Sequence, residues 1–385
     1  MPFASFPIFS GYIGLYQWLI INLKYNTLQR AYVLIKKNNM AVEILSWYDA
    51  NAREMPWRIP PLNSKMGTIP NPYYIWMSEV MLQQTTVAAV KEYFVKFITL
   101  WPTVHDMANA KDEDVMGAWA GLGYYARARN LLKCARVIKD QYDGKFPCNE
   151  KELLSLPGIG PYTAAAIMSI AFNKKAIVLD GNIERVMSRI YAVQEPLPAS
   201  KKALWLLASG LTPENRCGDY AQAVMDLGAT ICTPRSPKCS SCPWTSNCKG
   251  FLKGIANELP KKTPKLKKPT RIGTAYVAIK NDHSLLLERR PQKGLLGGML
   301  GWPGSDWDIT PTDHLIPLDA DWHTLNEPVR HTFTHFHLEL TIKVASNVKS
   351  TPRIGKFLTK EDFKPNDLPT VMRKVWVKAS KFLAQ

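Results

Sequence analysis

Cysteine is scarce in this chain. Its 385 residues hold seven, too few for a disulfide scaffold. Four of them fall between positions 232 and 248, a clustering that suits a metal and a reducing compartment. Acidic side chains are also short: 32 Asp and Glu against 49 Lys and Arg, a net charge of +17. That balance favours a polyanionic partner. Long hydrophobic runs are nearly absent. Only residues 1–23 approach one; they lack a cationic start and are broken by Gly11, Gly14, Gln17 and Asn22. Residues 1–39 therefore read as an extension upstream of the working domain, with a transmembrane or signal segment as the alternative, and Met40 opens the first helix, over Ala41 to Glu54. What is present suffices for a packed core: 46% of residues are hydrophobic, and the length fits one large or two ordinary domains.

The chain is organised around residues 150–185. A short amphipathic helix carrying Leu153 and Leu154 runs into Leu156-Pro157-Gly158-Ile159-Gly160. Pro161 then opens a second helix, where its missing N–H does no harm. Gly158 and Gly160 permit positive φ and a close backbone approach. The amides of such a turn, with the helix N-terminus behind them, suit a phosphate. This is the pattern of a helix–hairpin–helix, a grip on the DNA backbone that ignores sequence. Asp180 follows the apolar run 176–179, so a carboxylate stands close to the phosphate grip. The same residue is suited to cap a helix over Asn182–Val193.

Other segments carry chemistry. Asn71-Pro72 caps and starts a helix over Tyr73–Thr85. In it Glu79 and Gln83 lie four apart and share a face. Apolar neighbours suit Glu79 to act as a general acid with a raised pKa. The polar pair Gln83-Gln84 in an apolar helix points to a functional surface. Helical periodicity continues over 87–100, 112–120, 126–143, Lys202–Ser209 and Asp219–Gly228. At Gly121-Leu-Gly-Tyr-Tyr-Ala-Arg-Ala-Arg-Asn130, two tyrosines and two arginines at a turn suit intercalation and phosphate contact, Tyr124 foremost. Cys232, Cys239, Cys242 and Cys248 suit either zinc or an iron–sulfur cluster. Residues 258–270 have linker composition. Beyond them the hydrophobic period changes to 2, with Phe336, Leu338, Leu340, Ile342 and Val344 as one strand. Thr274–Ile279 and Ser284–Leu287 read as further strands, and Thr370–Leu383 as a closing helix. His331, His335 and His337 fall on one strand face, without the further ligands of a metal site.

Taken together these residues resemble the adenine DNA glycosylases of the MutY family, from about residue 41 to the end. The most specific pieces are Ser78-Glu-Val-Met-Leu-Gln-Gln-Thr85, Gly121-Leu-Gly-Tyr-Tyr125, Leu156-Pro-Gly-Ile-Gly160, Leu179-Asp-Gly-Asn182, the four cysteines and Arg330-His-Thr-Phe-Thr-His-Phe-His337. The resemblance implies a mainly α N-terminal helix–hairpin–helix glycosylase region with a [4Fe–4S] loop, plus an α+β Nudix-like C-terminal domain. The expected boundaries are an extension over 1–39, a helical glycosylase domain over 40–230, a cluster loop over 231–250, a basic linker over 251–270 and the Nudix-like domain over 271–385. The implied substrate is double-stranded DNA with A:8-oxoG or A:G mispairs. The resemblance also implies that Phe333, Thr334 and His335 read the oxidised base, with a hydroxyl kept at Thr334 where serine is more usual. Trp57 and Arg58 match positions lining the adenine pocket, although residues 59–71 form a longer loop there than the family pattern. Tyr162 and Asn182 are implied to reach the reacting sugar. The expected protein is a cytoplasmic monomer, associated with the nucleoid in a bacterium.

In the implied reaction adenine is flipped out of the stack. A neutral Glu79 protonates N7 and an ionised Asp180 stabilises the oxocarbenium-like sugar, as in glycoside hydrolysis. Related endonuclease III enzymes place a lysine nucleophile where Tyr162 stands. The expectation is therefore a monofunctional glycosylase, with a bifunctional glycosylase/AP lyase as the alternative. A nucleotide pyrophosphatase is disfavoured, because no Glu occurs between Glu288 and Glu327 to build its metal-binding box.

Overall fold

The computed structural model describes residues 39–264, 267–291, 294–310 and 316–383. The expectation for residues 1–38 lies outside these. The chain forms two compact units. The first takes in the described residues to Ile75, Cys148–Glu150 and Gly160–Thr263; the second takes in Trp76–Pro147, Lys151–Ile159 and the chain from Pro264.

The helical elements are α1 (39–51), α2 (Pro61–Lys65), α3 (Pro72–Leu82), α4 (Val87–Leu100), α5 (Val104–Asn109), α6 (Asp112–Ala118), α7 (Ala126–Tyr142), α8 (Glu150–Ser155), α9 (Pro161–Ala166), α10 (Gly181–Tyr191), α11 (Lys201–Leu211), α12 (Cys217–Thr230), α13 (Lys249–Leu252) and α14 (Thr370–Leu383). Several starts have a local cause. Asn71 Oδ1 accepts the Tyr73 amide at 3.0 Å, opening α3. Thr86 caps α4, and Thr103 with Asp106 forms a reciprocal capping box on α5. Pro161 opens α9, which loosens into a π-turn over Ile167–Ala171.

Several expectations are corrected. The loop before Asn71 contains α2, begun by Pro60-Pro61, and α5 was not anticipated. Leu153 is buried, but its neighbour Leu154 is 41% exposed, so only one of the pair packs. α3 ends at Leu82, not at Thr85: Gln84 has φ 57°, a left-handed conformation that breaks the helix. Gln83 therefore stands just past the helix end.

The strands lie in the second unit. β1 (Thr270–Ala278) pairs in parallel with β6 (His337–Ala345), from Thr270 opposite His337 to Ala278 opposite Ala345. β4 (His323–Thr324) and β5 (Val329–Thr332) lie antiparallel to β6 at different points along it. β2 (Leu285–Arg289) joins β3 (Leu300–Gly301) and β7 (Lys356–Leu358) in a second sheet. As the period of 2 requires, Phe336, Leu338, Leu340, Ile342 and Val344 all point into the core. They pack there with Trp302, Val371, Met372 and Val375, the last three from α14. β5 and β6 form a hairpin whose turn is Phe333–Phe336, closed by the Phe333 amide donating to Phe336 O at 2.9 Å. The three histidines therefore do not share a strand face: His331 is on β5, His335 in the turn and His337 on β6.

Candidate active site and cluster loop

In the first unit, Asp180 sits where extended chain turns into α10. Its Oδ1 accepts the Ile183 amide at 2.7 Å, so it is the helix N-cap. Asn182 Nδ2 donates to its other oxygen at 2.8 Å. Asn182 Oδ1 accepts from Arg185 Nη2 at 2.9 Å, and that guanidinium also donates to Gly228 O at 2.7 Å and Cys232 O at 2.8 Å. Gly228 must be small, because a Cβ there would lie 2.7 Å from that of Asn182. The half-buried Asp180 does not keep the low pKa expected of it. Burial pushes its carboxyl up, and the hydrogen bonds from Ile183 and Asn182 and the charge of Arg185 offset this only in part.

Tyr162 is the second residue of α9 and is half-buried. Trp57 is buried, and Arg58 is held from α12. Asp226, fully buried, takes Arg58 Nη1 at 2.8 Å and Arg53 Nη2 at 2.6 Å, so two guanidinium groups share one carboxylate. The long 59–71 loop is tied down through α2, where Ser64 Oγ donates to the buried Asp219 at 3.3 Å. The hairpin glycines differ. Gly158 has φ 79°, and a Cβ there would meet Asn130 Cβ at 2.7 Å, so only glycine fits. Gly160 is extended (φ −97°, ψ 177°) with open space above it, leaving room for another backbone to approach.

Cys232, Cys239, Cys242 and Cys248 ring one cavity, walled by Val186, Ile190 and Leu227. Four thiols facing one cavity are the donor set that holds an iron–sulfur cluster. Arg189, itself buried, donates to Cys232 Sγ at 3.2 Å and to the carbonyls of Thr233, Pro234 and Leu259. Burial pushes the Cys242 thiol up to about 12 and raises Cys239 and Cys248, so iron would have to supply the drive for their deprotonation.

In the second unit, Glu79 is 6% exposed on α3, a helix buried on nearly every side by Trp76, Met77, Val80 and Met81. A cavity of about 550 Å³ is lined by Gln83, Gln84, Tyr124, Arg127, Arg129, Phe333, Thr334 and His335, among others. It gathers most of the residues of this unit that were expected to touch substrate. Tyr124 is 46% exposed, and its hydroxyl pairs with Thr334 Oγ1 at 2.8 Å. Phe333 stacks on Phe336 at 4.9 Å between centroids, leaving Thr334 and His335 exposed at the tip. The expected arginine–phosphate contacts of this turn are not offered by outward side chains: Arg127 turns inward and Arg129 donates to Gly297 O. Tyr125 is buried.

Sequence reasoning missed the inward role of Arg127, and with it Arg185, Arg189 and Asp226. Arg185 and Arg189 carried a signal, since they fall four apart beside the apolar positions Val186 and Ile190 of α10. A buried arginine on an apolar face needs partners. Nothing local marked Asp226, whose partners lie 168 and 173 residues away.

A glycine hairpin between two helices, a carboxylate capping the next helix and a four-cysteine loop are the features of a helix–hairpin–helix base excision repair protein. The HhH-GPD superfamily base excision DNA repair protein model matches residues 77–208. The iron–sulfur binding domain of endonuclease III matches 232–248, which decides for a [4Fe–4S] cluster over zinc, and a NUDIX domain matches 274–378. The chain belongs to the adenine DNA glycosylase family. It is 34% identical over 400 residues to the adenine DNA glycosylase of Homo sapiens, covering 86% of this chain and 72% of that protein. It is 31% identical over 348 residues to that of Buchnera aphidicola subsp. Schizaphis graminum, covering 86% and 96%. Among solved structures, a thermostable thymine-DNA glycosylase superposes with a TM-score of 0.50 at 34% identity, over 57% of this chain and 97% of that one. The protein is thus a DNA glycosylase of base excision repair, and it binds DNA. No helix among the described residues is long and apolar enough to cross a membrane.

Proposed function

We propose that the enzyme removes adenine paired with 8-oxoguanine or guanine in duplex DNA by hydrolysis alone. The observation that carries this reading is the Tyr124–Thr334 hydrogen bond at 2.8 Å. It joins the glycine-rich turn, fitted to wedge between bases, to the exposed β5–β6 tip, fitted to read the opposite base. Adenine is flipped at a cost on the order of a few kcal/mol. Glu79, in its protonated form, gives its proton to N7 and lets adenine leave as a neutral base. Asp180, held by Asn182 and the α10 amides, stabilises the sugar cation, with or without a transient covalent bond. Water completes the hydrolysis. Tyr162 offers no amine, so no Schiff base forms and the strand stays intact. Gly158 and Gly160 bring the hairpin backbone to a phosphate, while Trp57 and Arg58 wall the flipped adenine and Gln83 and Gln84 flank the gap it leaves.

The [4Fe–4S] cluster, bound at Cys232, Cys239, Cys242 and Cys248, supplies a cross-link that braces the basic loop carrying Arg235, Lys238 and Lys249. We propose domain limits as drawn from the sequence. A monomer is supported by one chain carrying every candidate residue, and a cytoplasmic setting by the thiolate-held cluster, which needs reducing conditions.

The test uses a duplex with one adenine opposite 8-oxoguanine, labelled on the adenine strand. Strand breakage only after hot alkali, abolished in Glu79→Gln, is the expected result. Breakage without alkali would mean lyase activity and overturn the reading of Tyr162. Intact strands from a brown, folded, DNA-binding protein would withdraw the roles of Glu79 and Asp180.

A further inference from the structure

Arg127, in the first turn of α7, makes more polar contacts than any outward-facing role requires. Its Nη1 donates to Val80 O at 3.0 Å and Met81 O at 2.9 Å. These are among the last carbonyls of α3, which have no partner within the helix, and Val80 directly follows Glu79. Its Nη2 donates to Thr85 Oγ1 at 3.2 Å, Leu122 O at 3.2 Å and Gly123 O at 3.3 Å. The guanidinium also lies 5.3 Å from the Trp119 ring centre and 5.4 Å from that of Tyr124. One half-buried planar group thus ends the general acid's helix and straps down the turn beside it. That turn needs a strap: Gly121, Gly123 and Tyr124 all have positive φ, at 107°, 70° and 48°. Tyr124 in turn holds Thr334.

We infer that Arg127 is the positioning residue linking the reader of the opposite base to the general acid, and so sets the preference for adenine opposite 8-oxoguanine over adenine opposite guanine. This rests on the reading above, in which Thr334 reads the base and Glu79 supplies the proton. A base that engages Thr334 and draws on Tyr124 changes the load on the guanidinium, and the end of α3 shares that load directly. Arginine alone can make this link, because its planar fork spans both sets of carbonyls, whereas a lysine ammonium is a compact point that reaches one set at a time. A strut without this linking role would support both substrates equally.

The test measures single-turnover excision by the full-length protein on two duplexes that differ only in 8-oxoguanine or guanine opposite adenine. Arg127→Lys is expected to lower the rate ratio about tenfold, within the range of site-to-site couplings. Thr334→Val should lower it similarly, and the double variant should lose little more, because both break one linkage. Thermal melting and the brown cluster absorbance report folding. Should Arg127→Lys fail to fold, Thr85→Val, which removes one acceptor of the guanidinium just past the end of α3, takes its place. It is expected to lower the ratio, and an unchanged ratio overturns the inference. Equal losses on both duplexes in Arg127→Lys also overturn it. If Thr334→Val loses the preference while Arg127→Lys keeps it, the inference fails and the base-reading role stands. If the unaltered enzyme shows no preference, both fall together.

Discussion

Asp180 holds two positions at once, cap and carboxylate. Its pKa is raised by burial, so the folded state binds its proton more tightly than the unfolded chain does. The stability it contributes is therefore present below the unfolded value and lost as pH rises through the folded value. At neutral pH the charged form is a burden on the fold. Asp180→Asn keeps a capping oxygen and removes that charge. It is expected to abolish excision while raising the melting temperature at pH 7, with the gain vanishing at acid pH; thermal scans from pH 4 to 8 check this. A melting temperature that falls at pH 7 would show that the carboxylate is chiefly a stabilising cap. Glu79 and Asp180 could be singled out from sequence because each stands inside a motif. Arg127 and Asp226 could not, because an inward-turned polar group is defined by partners that only folding brings near. The pKa of Asp180 was misjudged for the same reason: its hydrogen bonds are local, but the desolvation that outweighs them is a property of the packed interior.

Most helices could be read from periodicity, since α4, α7 and α14 each bury a stripe. Their ends were harder. α3 was read three residues too long, because Gln83-Gln84-Thr85 have no helix-breaking composition; the left-handed Gln84 is imposed from outside, by a turn that Arg127 ties through Thr85. α5 hid in six residues whose capping box uses Asp106. The hairpin between α8 and α9 was legible to the residue, yet its two glycines do different work. Gly158→Ala should destabilise the protein by about 1 kcal/mol or more, from positive φ and the Asn130 contact. It should also weaken DNA binding on matched and mismatched duplexes alike, because a backbone grip carries no sequence information. Gly160→Ala, with nothing near its Cβ, should leave the melting temperature nearly unchanged and weaken only DNA binding. Melting curves and binding titrations on both duplexes separate the two.

At the scale of the whole molecule, a charge of +17 predicts affinity that falls steeply with salt, as log K against log salt is linear for phosphate contacts. Fluorescence titrations at several salt concentrations give the slope. Cys242→Ser should bleach the brown colour and lower DNA affinity, and should slow excision beyond the loss of affinity, because Arg185 carries hydrogen bonds from Cys232 O to Asn182; single-turnover rates at saturating protein isolate that part. The change of period after residue 270 was evident, and the first strand begins there; that Trp76–Pro147 falls in one unit with the C-terminal strands was not. The pairing of β1 with β6 was not, since parallel partners so far apart in sequence leave no local mark.

The 2.8 Å contact between Tyr124 and Thr334 bears on how recognition is accounted. The threonine hydroxyl is engaged within the protein, so a base that takes the tyrosine's place on it replaces one hydrogen bond with another. A lone neutral hydrogen bond contributes about 1 kcal/mol net, and an exchange yields less. The β-branched side chain also holds its hydroxyl in few rotamers, so little rotational entropy is lost when the partner changes. Discrimination at this tip is then a difference between two well-made contacts, and its size depends on what the released tyrosine does next.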